Sequence, residues 1–137
     1  PPEGVLYASF QIPTAEAFYE IPKEETLDEL IDRKIAEYRV NGKLAREIIR
    51  RESGFDTVAC NVLLGCNSGQ GLMQVIPSTE RDCEKRIGRE LDMLNAEDNL
   101  DCGLTLLKED GIGHWDDMSW KRGEPKKWGS GPYIGFD

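Results

Sequence analysis

"REIIRRESGFD", residues 46 to 56, reads as the end of an amphipathic helix that runs into a turn. Leu44, Ile48 and Glu52 are spaced four apart and so share one side of that helix. Two apolar residues in such a row ask for a third, and a carboxylate stands there instead. A carboxyl group withdrawn from water resists ionising. One that keeps its proton near neutral pH is a usable general acid. The plainer alternative is that Glu52 swings out to solvent at the helix end or pairs with Arg50 or Arg51. Gly54 supplies the stop.

Upstream, Thr26 begins a capping-box pattern completed by Glu29. Leu27, Leu30 or Ile31, Ile35 and Tyr38 then give the apolar stripe of a helix reaching about Val40. Asn41-Gly42 breaks it, and the next helix runs from Lys43 to Ser53. Residues 54 to 71, rich in Gly, Asn and Cys, read as loop. Pro77 suits the first turn of a third helix and Gly88 its end. A fourth has Asn95 as cap, Asp98 three residues later and Gly111 as terminator. Residues 1 to 25, with Pro1, Pro2, Pro13 and Pro22 and a weak alternation at Leu6, Ala8, Phe10 and Ile12, read as an N-terminal arm or linker. The domain proper is then 26 to 137, ending in a glycine-rich tail that holds Trp115, Trp120, Trp128, Tyr133 and Phe136. No repeat and no sheet core is visible, so the fold class is mainly α.

The chain has 137 residues, most naturally one domain, of which 39% are hydrophobic and 31% charged. That balance fits a globular protein rather than a disordered one. A formal charge of −9 argues against general nucleic-acid binding and against adhesion to anionic membranes. No apolar run approaches the roughly 20 residues of a membrane span. The start carries neither an initiator Met nor a signal-peptide pattern, which suggests a mature product or an excerpt of a longer chain. Cys60, Cys66, Cys83 and Cys102 form no C-x-x-C pair, and His114 is the sole histidine, so neither a zinc site nor another metal is expected. An even cysteine count in a small acidic domain suggests disulfides and an oxidising compartment. Of the three pairings, Cys60–Cys66 would close a short loop and Cys83–Cys102 would tie two helices.

"ESGFD" at 52–56, "GLMQVIPST" at 71–79 and "NAEDNLDCGLTLL" at 95–107 follow one another at compact spacing. Together they resemble the lytic transglycosylases, the soluble-transglycosylase (SLT) catalytic domain of the lysozyme-like superfamily, over roughly residues 40 to 110. The resemblance implies a lysozyme-like helical domain with a loop-rich substrate groove. It implies cleavage of the β-1,4 bond between N-acetylmuramic acid and N-acetylglucosamine in peptidoglycan, with 1,6-anhydro ends and no water consumed. Glu52 would be the sole acid/base, which differs from the two-carboxylate rule of most glycosidases. The substrate's N-acetyl group would serve as internal nucleophile.

By the same resemblance, Ser53 would bond near the acid, and Gly71 would let the backbone pass close to the sugar. Met73 and Gln74 would line the cleft, with Gln74 offering both donor and acceptor groups. Asn99 would face the acid from its helix, orienting it or the substrate. Leu72 is better read as core, and so are Trp115 and Trp120. The sequence departs from the family in two places. Its loop "VACNVLLGCNSGQ" is enlarged, and "KKWGSGPYIGF" stands where the family has Ala-Tyr-Asn-x-Gly. Trp128 or Tyr133 would then take the place of the family tyrosine, and Tyr133 has the hydroxyl. The basic island Lys121, Arg122, Lys126 and Lys127 reads as a solvated loop, with stem-peptide carboxylates as the alternative contact.

No cofactor is implied, and the partner is the peptidoglycan glycan strand. The protein is expected in the periplasm or outside the cell, or associated with a virion, as a monomer or as part of a larger chain or envelope assembly. Rival readings are a lysozyme-like hydrolase of the same fold, for which Asp56, Asp92 or Asp98 would be the second acid, and a glycan-binding module without turnover. A structural or assembly domain would leave Glu52 idle.

Overall fold

A computed structural model gives the fold and describes residues 23–116. Most of the N-terminal arm lies outside the described residues, as do Trp120, the basic island, Trp128, Tyr133 and Phe136. Four α-helices are present among the described residues, and local chemistry explains their ends. Helix α1 (Leu27–Tyr38) begins at a complete capping box. The Thr26 hydroxyl oxygen accepts the Glu29 N–H at 3.1 Å, and the Thr26 N–H donates to the Glu29 carboxylate at 3.1 Å. It stops at Arg39, which sits in the left-handed region at φ 57°. Helix α2 (Gly42–Ser53) starts under the Asn41 side chain, which accepts the Leu44 N–H at 2.9 Å. Asn41-Gly42 therefore does more than break one helix, because the Asn caps the next.

Helix α3 (Pro77–Ile87) carries Pro in its first turn and ends at Gly88, φ 89°. Helix α4 (Ala96–Asp110) starts under Asn95, whose side chain accepts the Asp98 N–H at 3.0 Å, and ends at Gly111. Short 3₁₀ turns occur at Val62–Leu64 and Gly111–His114. No strand is found among the described residues, only isolated bridges pairing Gln70 with Cys60 and with Val75.

Helix α4 is the axis of the fold. Every residue from Asn99 to Leu107 is buried, as a helix enclosed on all sides must be. Ile31 from α1, Leu44, Ala45, Ile48 and Ile49 from α2, and Cys83 from α3 complete the core with Leu72, Met73, Met93 and Trp115. Disulfides join Cys60 to Cys66 and Cys83 to Cys102, the pairing favoured by the spacing. The second ties α3 to α4, which Arg86 also joins through Asp110 at 2.8 Å and Glu109 at 3.1 Å. Helix α1 is pinned to α4 by a buried ionic group: Lys34 Nζ lies 2.7 Å from Asp101 Oδ1, which also accepts the Tyr38 hydroxyl at 2.9 Å. Arg89 reaches the other Asp101 oxygen at 2.7 Å. Among the described residues no helix is long and apolar enough to cross a membrane.

Candidate active site

Helix α2 carries the acid singled out by its spacing. Leu44 and Ile48 are buried, and Glu52, next in their row, is half-buried in the last turn of the helix. The row thus emerges from the core at the carboxylate instead of enclosing it. Gly54, φ 61°, receives the helix end, its N–H donating to the Arg50 and Ile49 carbonyls, and Phe55 follows at φ 67°. Two consecutive left-handed residues turn the chain sharply away just after the acid. The neighbouring Ser53 hydroxyl donates back to the Ile49 carbonyl at 3.1 Å, four residues earlier.

Beyond this end the chain passes through the Cys60–Cys66 ring into the tight turn Gly71–Gln74. The turn is closed by reciprocal backbone bonds between Gln70 and Val75, both 3.0 Å. The ring holds it from one side. The Ala59 carbonyl accepts the Gly71 N–H at 2.8 Å and the Gln74 side-chain amide at 3.0 Å, and the Gln70 side-chain amide donates to the Cys66 carbonyl. Gln74 gives its second amide proton to the Gly71 carbonyl at 2.9 Å, so both its donors are spent on backbone and its oxygen is the group left to meet a ligand. Its own backbone is left-handed, φ 53°.

Helix α4 holds the turn from the other side through Asn99. This residue is fully buried. Its oxygen accepts the Met73 N–H at 2.8 Å, and its amide donates to the carbonyls of Gln70 at 2.8 Å and Met93 at 2.9 Å. Trp115, also buried, donates its indole N–H to the Met73 carbonyl at 2.8 Å. Met93 belongs to a loop braced by carboxylates, with Glu84 accepting the Leu91 N–H at 2.8 Å and Asp98 the Asp92 N–H at 2.9 Å.

These contacts give three of the expected site residues structural work in the turn. The interior itself requires Gly71. A Cβ there would lie 2.1 Å from the Met93 carbonyl oxygen and 2.4 Å from the Asn99 amide, and its φ is +70°. Met73 does not face a cleft. It is fully buried against Gly103 of α4, where a Cβ would stand 2.2 Å from its sulfur. Asn99 is buried, and its side chain is occupied by the turn and by the Met93 carbonyl. Leu72 is core, as its apolar character suggested. Asp56 and Asp92 accept backbone N–H groups two residues on, from Val58 at 3.0 Å and Leu94 at 2.9 Å, as turn-forming Asp side chains do.

A recess of about 150 Å³ opens beside the turn, lined by Gln74, Val75, Ile76, Thr79, Leu106, His114 and Trp115. Gln74 is the one expected site residue it includes; Glu52 and Ser53 do not line it. His114 lies 2.8 Å from Asp110. Asp110 is held well below the usual carboxylate range, at about 2, first by its hydrogen bond to Arg86 and then by that to His114. Trp115 is core, as its reading from the sequence expects, and also borders this recess. His114, which the sequence reading considers only as a zinc ligand, borders it too. Trp128 and Tyr133 lie outside the described residues.

The sequence matches the family model for the transglycosylase SLT domain over residues 29–120, which includes Glu52, the turn and Asn99. Neither the curated proteins nor the solved structures give a match.

Proposed function

The chain belongs to the transglycosylase SLT domain family, and from that premise we propose that it is a peptidoglycan lytic transglycosylase with Glu52 as its single acid/base. The family acts on peptidoglycan outside the cytoplasm, a setting in which two disulfides are at home. The observation that carries the proposal is the family match that spans both the Glu-Ser helix end and the braced Gly71–Gln74 turn.

In the proposed reaction the Glu52 carboxyl gives its proton to the bridging oxygen as the bond to C1 of N-acetylmuramic acid breaks. The acetamido oxygen of the same sugar attacks C1 as internal nucleophile. The Glu52 carboxylate then takes the proton of the 6-hydroxyl, whose oxygen displaces the acetamido group and closes the 1,6-anhydro ring. Each proton is accounted for, and Glu52 ends as it began. Burial on one side and the helix end on the other suit a group that must be reached by substrate yet kept from bulk water. Gln74 would accept a hydrogen bond from a sugar N–H or O–H through its remaining oxygen. Ser53, Trp128 and Tyr133 are further proposed contacts, and Asn99 supports the Gly71–Gln74 turn from behind. The working unit is proposed to be a monomer, within a domain spanning 26 to 137, alone or in a longer envelope or virion protein.

The test is product analysis. Digests of purified sacculi, examined by mass spectrometry, should contain 1,6-anhydro ends; reducing ends would point to hydrolysis instead. Glu52→Gln should lower turnover by about 10²–10⁴-fold while sacculus binding persists. Normal digestion by that variant removes Glu52 from the mechanism.

A further inference from the structure

The segment joining α2 to α3 differs in charge from the rest of the surface. From Thr57 to Thr79 there is no Asp, Glu, Lys, Arg or His, in a chain that is 31% charged. At the tip of this neutral stretch, Val62, Leu63 and Leu64 are 76%, 91% and 56% exposed, and Val58 and Ile76 add exposed aliphatic surface. Three consecutive aliphatic side chains held out in water mark a contact surface.

They are held rigidly. The Cys60–Cys66 disulfide closes the ring, the Asn61 side chain accepts the Leu63 N–H at 3.0 Å, and the Asn61 carbonyl accepts the N–H groups of Leu64 at 3.1 Å and Cys66 at 3.0 Å. A tip fixed in advance loses little freedom on binding. The ring is also continuous with the candidate site, because the Ala59 and Cys66 carbonyls anchor Gly71, Gln74 and Gln70. The aliphatic tip and the turn are therefore tied together by backbone and side-chain hydrogen bonds.

We infer that the Cys60–Cys66 ring is an additional substrate contact, its Val62–Leu64 tip packing on the uncharged part of a glycan strand: acetamido methyl groups and the C–H faces of N-acetylated sugars. The inference rests on the function proposed above. Charge selects this occupant. A stem-peptide carboxylate or an anionic lipid headgroup would be met by a cation, and the stretch has none, while the chain as a whole is at −9. Asn67 and Ser68 beside the tip are neutral hydrogen-bonding groups of the kind sugar hydroxyls accept.

The experiment places Val62→Ser, Leu63→Ser and Leu64→Ser together, and Leu63→Ser alone, in both the parent and the Glu52→Gln backgrounds. Binding to purified, peptide-free glycan strands is measured, with thermal unfolding as the control for folding. The triple variant should bind strands about tenfold more weakly. The single variant should bind about threefold more weakly, with its unfolding temperature unchanged. Strand binding equal to that of the parent overturns the inference. It does so also if binding to phosphatidylcholine vesicles falls instead, which assigns the tip to lipid, or if a dimer of the parent dissociates, which assigns it to a second copy. A parent that digests sacculi while the ring variants bind normally leaves the proposed function standing and removes the ring. A parent that neither digests nor binds them removes both.

Discussion

At the scale of single residues, Asn99 is the most constrained polar side chain of the site. It is enclosed by protein, and each hydrogen bond described for it ends on backbone of the turn or of the loop behind it. Asn99→Ala would leave the Met73 N–H and the Met93 carbonyl buried and unpaired, and would take from the Gln70 carbonyl one of its two donors, the Val75 N–H remaining. The expected loss is about 3 kcal/mol in urea unfolding, since each stranded group costs about 1–3 kcal/mol and the site can partly relax. Asn99→Asp has the same shape but turns an oxygen toward two carbonyl oxygens, and it should be at least as damaging. An Asp variant as stable as the parent would show that the amide's direction does not matter. Sequence reading expected Gly71, Met73 and Asn99 at a sugar site; the fold brings them together at one turn, with Met73 and Asn99 fully buried. Spacing along a chain gives the face of a helix; it does not say whether that face meets a groove or another segment.

At the scale of elements, α1 and α4 are joined through two buried charged residues. Lys34 is 4% exposed and Asp101 6% exposed. Burial pulls the Lys34 ammonium down, but hydrogen bonds to Asp101 and Glu97 outweigh it, and the group is held above its ordinary value. Asp101 meanwhile serves Lys34, Tyr38 and Arg89 together. Asp101→Ala leaves the buried ammonium to the more exposed Glu37 and Glu97, and should cost about 3 kcal/mol in chemical unfolding. Replacing both partners, Lys34→Met with Asp101→Leu, should recover much of that loss, because a buried pair is worth far less than the damage done by removing one member. A double variant less stable than the sum of the two single changes contradicts that account. Most helix ends, by contrast, were plain from the sequence, although the cap role of Asn41 was not. Thr26, Asn41, Pro77, Gly88 and Asn95 act through bonds that span at most four residues, so their neighbours in sequence are their neighbours in space.

At the scale of the whole molecule, the two disulfides divide the work. Cys83–Cys102 locks α3 to the central helix, and Cys60–Cys66 rigidifies the ring that carries the turn. On loop-closure entropy, replacing the first pair by Ala should cost about 3 kcal/mol and the second about 2 kcal/mol. Calorimetry of the two double variants, with reductant on the parent as a cross-check, measures both. If the ring variant loses digestion in proportion to stability alone, the anchoring of the turn through Ala59 and Cys66 has no separate importance. By itself the sequence determined the four helices, most of their caps and the family, and it favoured the disulfide pairing found, because each of these is written in local spacing or in a short run of residues. Only the tertiary structure decided that Gly71, Met73 and Asn99 turn inward and that Glu52 surfaces at the end of an otherwise buried row. The reason is that those outcomes depend on Met93, Gly103 and Trp115, atoms distant along the chain that meet only when α4 is packed into the centre.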